Sequence, residues 1–311
     1  INDKIDMSAT SEAFIGNLIR TCTYIHDEKV MPKASLAYER YCVLNEINNL
    51  CIDGERIDTK LKQQIYEDCF MKGKRVTKKQ LCSYLVAQNA IHSEEQLTGI
   101  DKNINNSLSS YGKMYAIFGE RLKEDAILAA AEDIIYWGTI FGDSKKMLKQ
   151  RLKKYVEEGI IDENQLKRIL GYKFKDWGRF SKALLSLSGC DKSTGEIITL
   201  GQAMWEYSLN FMELINSEEF TFKEELEKHT QVAMKQLSEF TYEDLEDSYF
   251  SVPVKRMIWQ TLLVVREIEK VMGYAPKRIF VEMTRTEEEK GDKGRKESRG
   301  NQLLELYKSI K

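Results

Sequence analysis

Proline is scarce. Pro32, Pro253 and Pro276 are the three in 311 residues. A large all-β or loop-rich chain needs more turn punctuation than this, so a mainly helical protein is expected. Histidine is scarcer still as a cluster: His26, His92 and His229 are scattered. None of the six cysteines, Cys22, Cys42, Cys51, Cys69, Cys82 and Cys190, forms a C-x-x-C pair. That spacing argues against a zinc site, and the cysteines read as reduced thiols packed among apolar residues. No apolar run approaches the roughly 18 residues that suggest a membrane span. The start, Ile1-Asn2-Asp3-Lys4, does not read as a signal peptide, and its lack of Met suggests a piece of a longer chain. An excess of one charge is also missing: 47 basic against 49 acidic residues give −2. A free-standing nucleic-acid binder usually carries a basic excess, so any phosphate contacts must come from local patches.

What is present fits a folded chain. Hydrophobic residues make up 42% and charged residues 31%, which excludes intrinsic disorder over the whole length. At roughly 150 residues per domain, about two domains are expected. The apolar period is close to 3.6 along most of the sequence. Phe14, Ile15, Leu18, Ile19 and Cys22 form one stripe, and Leu36, Val43, Ile47 and Leu50 the next. Val76 and Thr77 open a helix carrying Leu81, Tyr84 and Leu85, and an Ala-rich helix is expected from Ala126 to Phe141. Ser144 is a candidate cap for a helix carrying Met147, Leu148, Leu152 and Tyr155. Asp162 with Gln165, and Thr221 with Glu224, have the spacing of capping boxes. No fixed repeat period is present.

The pattern changes near residue 248. Pro253 suits a first helical turn, Val254 to Met272 line a broad apolar face, and Gly273 is a candidate left-handed stop. Residues 277–284 read as a short strand, with Ile279, Val281 and Met283 on one face and Phe280, Glu282 and Thr284 on the other. Residues 285–300 are rich in charge and lack any apolar side chain, as in a linker. A last helix over 301–311 carries Leu303, Leu304, Tyr307 and Ile310.

Three features could carry chemistry. Glu282, mid-strand among apolar neighbours, is either paired or solvated in a structural role, or a ligand for a cation. One carboxylate cannot hold two magnesium ions, so an active site at Glu282 needs oxygens from other segments. Trp177-Gly178-Arg179 offers a stacking face, close backbone approach and a planar guanidinium, with Lys173, Lys175 and Lys182 nearby. The competing reading is an aromatic anchor between helices beside a solvent-facing Arg. Lys33 and Tyr38, at a helix start, could touch a sugar-phosphate chain or be ordinary helix-start residues.

Several segments together resemble one family. They are Asp27 to Leu36, Tyr41 to Ile47, Trp177 to Ser181, Asn210 to Ile215, Thr221 to Glu225, Val271 to Gly273 and Ile279 to Arg285. In this order they resemble the Cas9 family, the RNA-guided DNA endonucleases of type II CRISPR systems, and most of all its II-A branch. The resemblance implies a helical recognition-lobe domain over 1–247 and a helix–strand piece of an RNase H-like (RuvC) nuclease domain over 248–284. It implies a charged linker and helix leading toward an HNH domain over 285–311. The family's guide RNA reads sequence by base pairing while the protein holds the heteroduplex by backbone and shape. The resemblance places Lys33, Tyr38, Arg179, Asn210, Met212 and Glu213 at heteroduplex contacts. Glu213 stands where the best-known relative has Gln, and an acid facing phosphates repels them. Glu282 matches the nuclease carboxylate that is both catalytic and a ligand for magnesium or manganese in the complete enzyme.

The partners implied are guide RNA (crRNA with tracrRNA, or a single guide) and target DNA, with anti-CRISPR proteins as a further class. The parent is then a monomeric, cytoplasmic bacterial nuclease with no membrane association, and the chain alone is expected to hold no metal and to cut nothing. The rival reading is a non-catalytic helical scaffold or protein-interaction module.

Overall fold

The computed structural model describes residues 15–16, 19–72, 75–100, 104–233, 239–246 and 252–274. The chain divides into two compact units, Ile1–Met234 and Lys235–Lys311. Helices dominate both, as the scarcity of proline implies, and no described helix is long and apolar enough to cross a membrane.

The first unit is built around α1 (Leu36–Ile47). Ser35 caps it, its side chain accepting from the Tyr38 N–H. Glu132 reinforces that start by accepting from the Ala37 N–H at 2.9 Å and from the Ser35 hydroxyl at 3.2 Å. The helix serves two cores. Val43, Leu44, Ile47 and the following Leu50 enter one, and Leu36 enters the other. Each such fully buried aliphatic side chain contributes about 1.5–3 kcal/mol.

The first core gathers α2 (Thr59–Ile65), a π turn over Tyr66–Phe70, and α3 (Lys78–Ala87), whose Thr77–Gln80 capping box is fully formed. A three-stranded antiparallel sheet of β1 (Cys51–Ile52), β2 (Glu55–Arg56) and β3 (Leu97–Thr98) has the order β2-β1-β3. The second core is α4 (Ser109–Phe118), α5 (Asp125–Ile140), α6 (Lys145–Glu157) and α7 (Glu163–Ile169), closed by Phe174. The Asp162–Gln165 box starts α7 as its spacing predicts. Ser144 precedes α6, but its side chain makes no cap bond.

A short α8 (Lys182–Leu185) and a hairpin of β4 (Ser188–Cys190) and β5 (Ile197–Thr199) return the chain to the first core. There follow α9 (Leu200–Glu206), α10 (Phe211–Asn216) and α11 (Phe222–Ala233). α11 begins where the Thr221 pattern predicts, but Thr221 accepts from the Cys190 N–H at 2.7 Å and Glu224 pairs with Lys192. The hairpin has taken both ends of the expected box.

The stripe expected to run through Ile19 and Cys22 is not helical there. Residues 19–33 are irregular, with a bridge between Thr21 and Lys29, and the Cys22 N–H donates to the Glu28 carbonyl at 2.7 Å. Long-range backbone bonds to residues 176–180 outcompete the local helix.

Two ionisable groups, the half-buried Glu39 and the buried Lys62, fasten helix ends. The Glu39 carboxylate accepts from the Ser110 N–H and hydroxyl and from the Tyr111 N–H, supplying the cap that Leu108 cannot. Burial pushes its pKa up to about 7. Lys62, fully buried, donates to the Met204 and Tyr207 carbonyls at 3.1 and 2.6 Å, at the end of α9. Burial lowers its pKa to about 8.

The second unit contains α12 (Glu243–Glu246) and the 21-residue α13 (Val252–Met272). Pro253 lies in the first turn and Gly273 follows the last with φ +74°. Trp259 packs edge-on against Tyr242 and under the Arg266 guanidinium. Of the expected apolar face, Val265 is buried, whereas Met257 and Ile268 are exposed. Residues 277–284, with Glu282, and the linker and last helix lie outside the described residues.

Candidate nucleic-acid interface

Two remote segments are zipped together beside α1. The Lys33 N–H donates to the Asp176 carbonyl, the Gly178 N–H to the Met31 carbonyl, and the Met31 N–H to the Phe180 carbonyl, at 2.7 to 3.1 Å. Gly178 permits this approach. A Cβ there would lie 2.6 Å from the Tyr38 ring and 3.0 Å from the Met31 carbonyl oxygen. The next residue, Arg179, is held on both sides. Its N–H donates to the Tyr38 hydroxyl at 3.2 Å, and its carbonyl accepts from the Thr23 N–H at 3.1 Å and hydroxyl at 3.2 Å. The backbone is fixed and the guanidinium stays exposed.

Arg179 stands over an open cleft of about 700 Å³. Residues 20–24 and 178–180, α1 and the start of α10 form its walls. Its floor is aromatic: Phe180 stacks on Phe211 at 4.9 Å, and Tyr41 and Tyr24 meet both rings. Its rim is polar. Asn45 on α1 and Asn49, two residues past its end, lie beside Asn210, whose side-chain amide donates to Asn49 Oδ1 at 2.9 Å. Asn45 Oδ1 accepts from the Phe211 N–H at 2.9 Å. Arg20 stands on the same rim. Among the described residues neither Arg20 nor Arg179 has a carboxylate within 4.0 Å.

Of the residues singled out by sequence, Arg179, Asn210 and Met212 line this cleft. Met212 is 53% exposed and its sulfur accepts from the Tyr24 hydroxyl. Glu213 is drawn away from it. Its N–H and carboxylate complete a capping box with Asn210, and its Oε1 accepts from Arg56 Nη2. Lys33 is exposed beside Asp176, at 3.8 Å. The Tyr38 ring is buried, and burial raises the pKa of its phenol. Its hydroxyl is the part that acts, as the acceptor holding Arg179. Trp177 packs edge-on against Tyr136 rather than standing free.

Arg20, Asn45 and Asn49 are not singled out by the sequence. Two amides four residues apart, one in an otherwise apolar-patterned helix and one just past its end, are the available signal for two of them. Arg20 has none, because its position depends on the irregular path of residues 19–33.

Two guanidinium groups without a carboxylate partner among the described residues, three amides and an aromatic floor suit a sugar-phosphate backbone. Guanidinium forks match phosphate, and amides match hydroxyls and phosphate oxygens. No group of three or more His, Cys, Asp or Glu side chains able to hold a metal occurs among the described residues.

Comparison with known proteins points to one family. The family described as the REC lobe of CRISPR-associated endonuclease Cas9 matches residues 1–230. A CRISPR-associated endonuclease Cas9 of Streptococcus mutans serotype c is 30% identical over 319 residues, which cover 99% of this chain. One of Listeria innocua serovar 6a is 31% identical over 321 residues, covering 100% of it. The chain spans 23% of the length of each relative.

Proposed function

The chain belongs to the Cas9 REC-lobe family, and from that membership we propose that it grips the guide RNA–target DNA heteroduplex of an RNA-guided DNA endonuclease. The observation that carries this reading is the convergence of Arg20, Arg179, Asn45, Asn49, Asn210 and Met212 on one cleft. The partners are guide RNA, as crRNA with tracrRNA or as a single guide, and target DNA. Base pairing reads the sequence and the cleft reads backbone. Tyr38 acts through Arg179, and Lys33 adds a point charge beside it. Residues 1–247 form the recognition portion, and 248–284 contribute a helix and strand to a RuvC-like nuclease domain. Within that parent, a bacterial cytoplasmic monomer, Glu282 is the carboxylate offered to magnesium or manganese. Bound metal would supply Lewis-acid activation of water there.

The test is Arg179→Ala in the full parent protein. Affinity for a preformed RNA–DNA hybrid is expected to fall by about 1–3 kcal/mol, as for a charge-assisted hydrogen bond. The fall should be the same whatever the base sequence. Log affinity should decline linearly with log salt, less steeply in the variant. Unchanged affinity at every salt concentration would exclude the cleft as the grip. A guide-loaded Glu282→Ala parent is expected to nick supercoiled plasmid; linear product at the unmodified rate would make Glu282 structural.

A further inference from the structure

Six of the ten residues 145–154 are basic, namely Lys145, Lys146, Lys149, Arg151, Lys153 and Lys154, and none is acidic. In a chain of net charge −2 this is a local concentration of one sign. All six lie on α6, which buries Leu148, Leu152 and Tyr155. Three are engaged: Arg151 lies over the Trp137 ring at 4.7 Å, Lys153 pairs with Glu157 at 3.0 Å, and Lys154 with Asp133 at 3.4 Å. Lys145, Lys146 and Lys149 are exposed and have no ion pair among the described residues. At about 100° per residue these three fall within one exposed arc of roughly 100° that flanks the buried stripe.

Their order along the helix opposes its own field. The cations crowd the N-terminal turn, which has no acid, while Glu157 and Glu158 lie at the far end. The macrodipole favours the reverse arrangement, so the pattern works against the isolated helix and gains only from an external anion.

The face also continues the cleft. A depression of about 360 Å³ between the end of α5 and residues 173–176 is lined by Asp143, Lys173, Lys175 and Asp176, and Lys145 follows two residues after Asp143. Lys33 lies 3.8 Å from Asp176, and Arg179 is three residues further, over the cleft. Cations interspersed with Asp143 and Asp176 therefore lie between the cleft and the start of α6.

We propose that the Lys145, Lys146 and Lys149 face of α6 is a second backbone contact, holding the phosphates of the same RNA–DNA hybrid beyond the stretch gripped at the cleft. This rests on the cleft reading. Lys145 and Lys149 are about 6 Å apart along the helix axis, the rise of about two phosphates on one strand. A protein partner suits the face poorly. Such interfaces deplete lysine and concentrate binding in aromatic and arginine anchors, whereas the apolar group exposed here is Met147.

The test compares the full parent protein with its Lys145→Gln, Lys146→Gln, Lys149→Gln triple variant. Both are titrated over a range of salt with a preformed RNA–DNA hybrid of about 20 bp, the family's heteroduplex length. The slope of log affinity against log salt is expected to fall by about one per lysine, about three in all. The corresponding Lys→Arg triple variant keeps the charge and should bind as the unmodified protein does. An unchanged slope in the Gln variant, with Arg179→Ala still weakening binding, overturns this second contact and leaves the cleft reading standing. If Arg179→Ala has no effect while the lysine variant does, the cleft reading fails by itself. Unchanged hybrid binding together with lost binding to polyglutamate would assign the face to an acidic protein and also overturn the proposal. Loss of binding in the Arg variant would mean that packing rather than charge is being read, and the proposal would fall in that case too.

Discussion

Arg56 and Glu213, 157 residues apart in sequence, form an ion pair that turns an acid away from the cleft. Glu213 also accepts from the Asn210 N–H at 2.8 Å, so one carboxylate serves both the capping box of α10 and the guanidinium. The same Arg56 donates to the Asn48 carbonyl, tying the pair to α1. The charge of this acid is thus already matched within the protein.

Arg56→Ala should therefore weaken hybrid binding although Arg56 does not line the cleft. The uncompensated carboxylate would repel phosphate, and the half-exposed pair itself contributes no more than about 1 kcal/mol of stability. Adding Glu213→Gln should restore affinity. Equal binding by the single and double variants, measured by hybrid titration, would show that the pair has only a structural role.

Gly178→Ala should lower the melting temperature. Its methyl group would press on the Tyr38 ring, at 2.6 and 2.7 Å, and on the Met31 carbonyl oxygen. Overpacking of this kind costs about 1–3 kcal/mol. Because Tyr38 holds the Arg179 backbone, hybrid affinity should fall with stability, and a thermal melt paired with a titration checks both.

Glu39 gives stability a pH dependence of unusual sign for a carboxylate. Its pKa in the folded state is raised from 4.5 to about 7 by burial, so the native state binds more protons across that window. Its contribution is most favourable below about 4.5 and is lost as pH rises through about 7. Glu39→Gln retains an acceptor for Ser110 and removes the titration. Melting temperatures of the variant and the unmodified protein, measured from pH 4.5 to 7, should diverge progressively in favour of the variant.

Lys62 behaves in the opposite sense. Its folded-state pKa is lowered from 10.5 to about 8, so the unfolded chain holds more protons between those values. Stability should rise with pH across that window. Lys62→Met should abolish the rise. It should also cost about 1–3 kcal/mol, because the Met204 and Tyr207 carbonyls lose their donor. Denaturant titrations at about pH 8 and about pH 10 test both statements.

Several local signals in the sequence are honoured where no remote partner competes, although Ser144 leaves α6 uncapped. Asp162 with Gln165, and Pro253 with Gly273, mark helix limits as their chemistry dictates. Where a remote partner exists, the local reading gives way. Thr221 serves the hairpin instead of its own helix, and residues 19–33 surrender an apolar stripe to pairing with 176–180. The site shows the same division. Arg179 and Asn210 are legible as residue types in a familiar order. The burial of Tyr38 is not, because it depends on Gly178, far away in the chain. The Asn210–Glu213 box is legible in principle, since its spacing matches that of Asp162 and Gln165. The resemblance, however, presents both residues as contacts and so hides their capping role.

The sharing of α1 between two cores sets a rule of length for anyone who edits this chain. Leu36 and Val43 are seven residues apart, nearly two helical turns, and so emerge on almost the same side of the rod. A single residue inserted between them would swing everything beyond by about 100°. Either Leu36 would leave the second core, or Val43, Leu44 and Ile47 would leave the first. Asn45 and Asn49 would turn off the cleft with them. The β4–β5 loop around Gly195, which bears on neither core, is the place where added length can be absorbed.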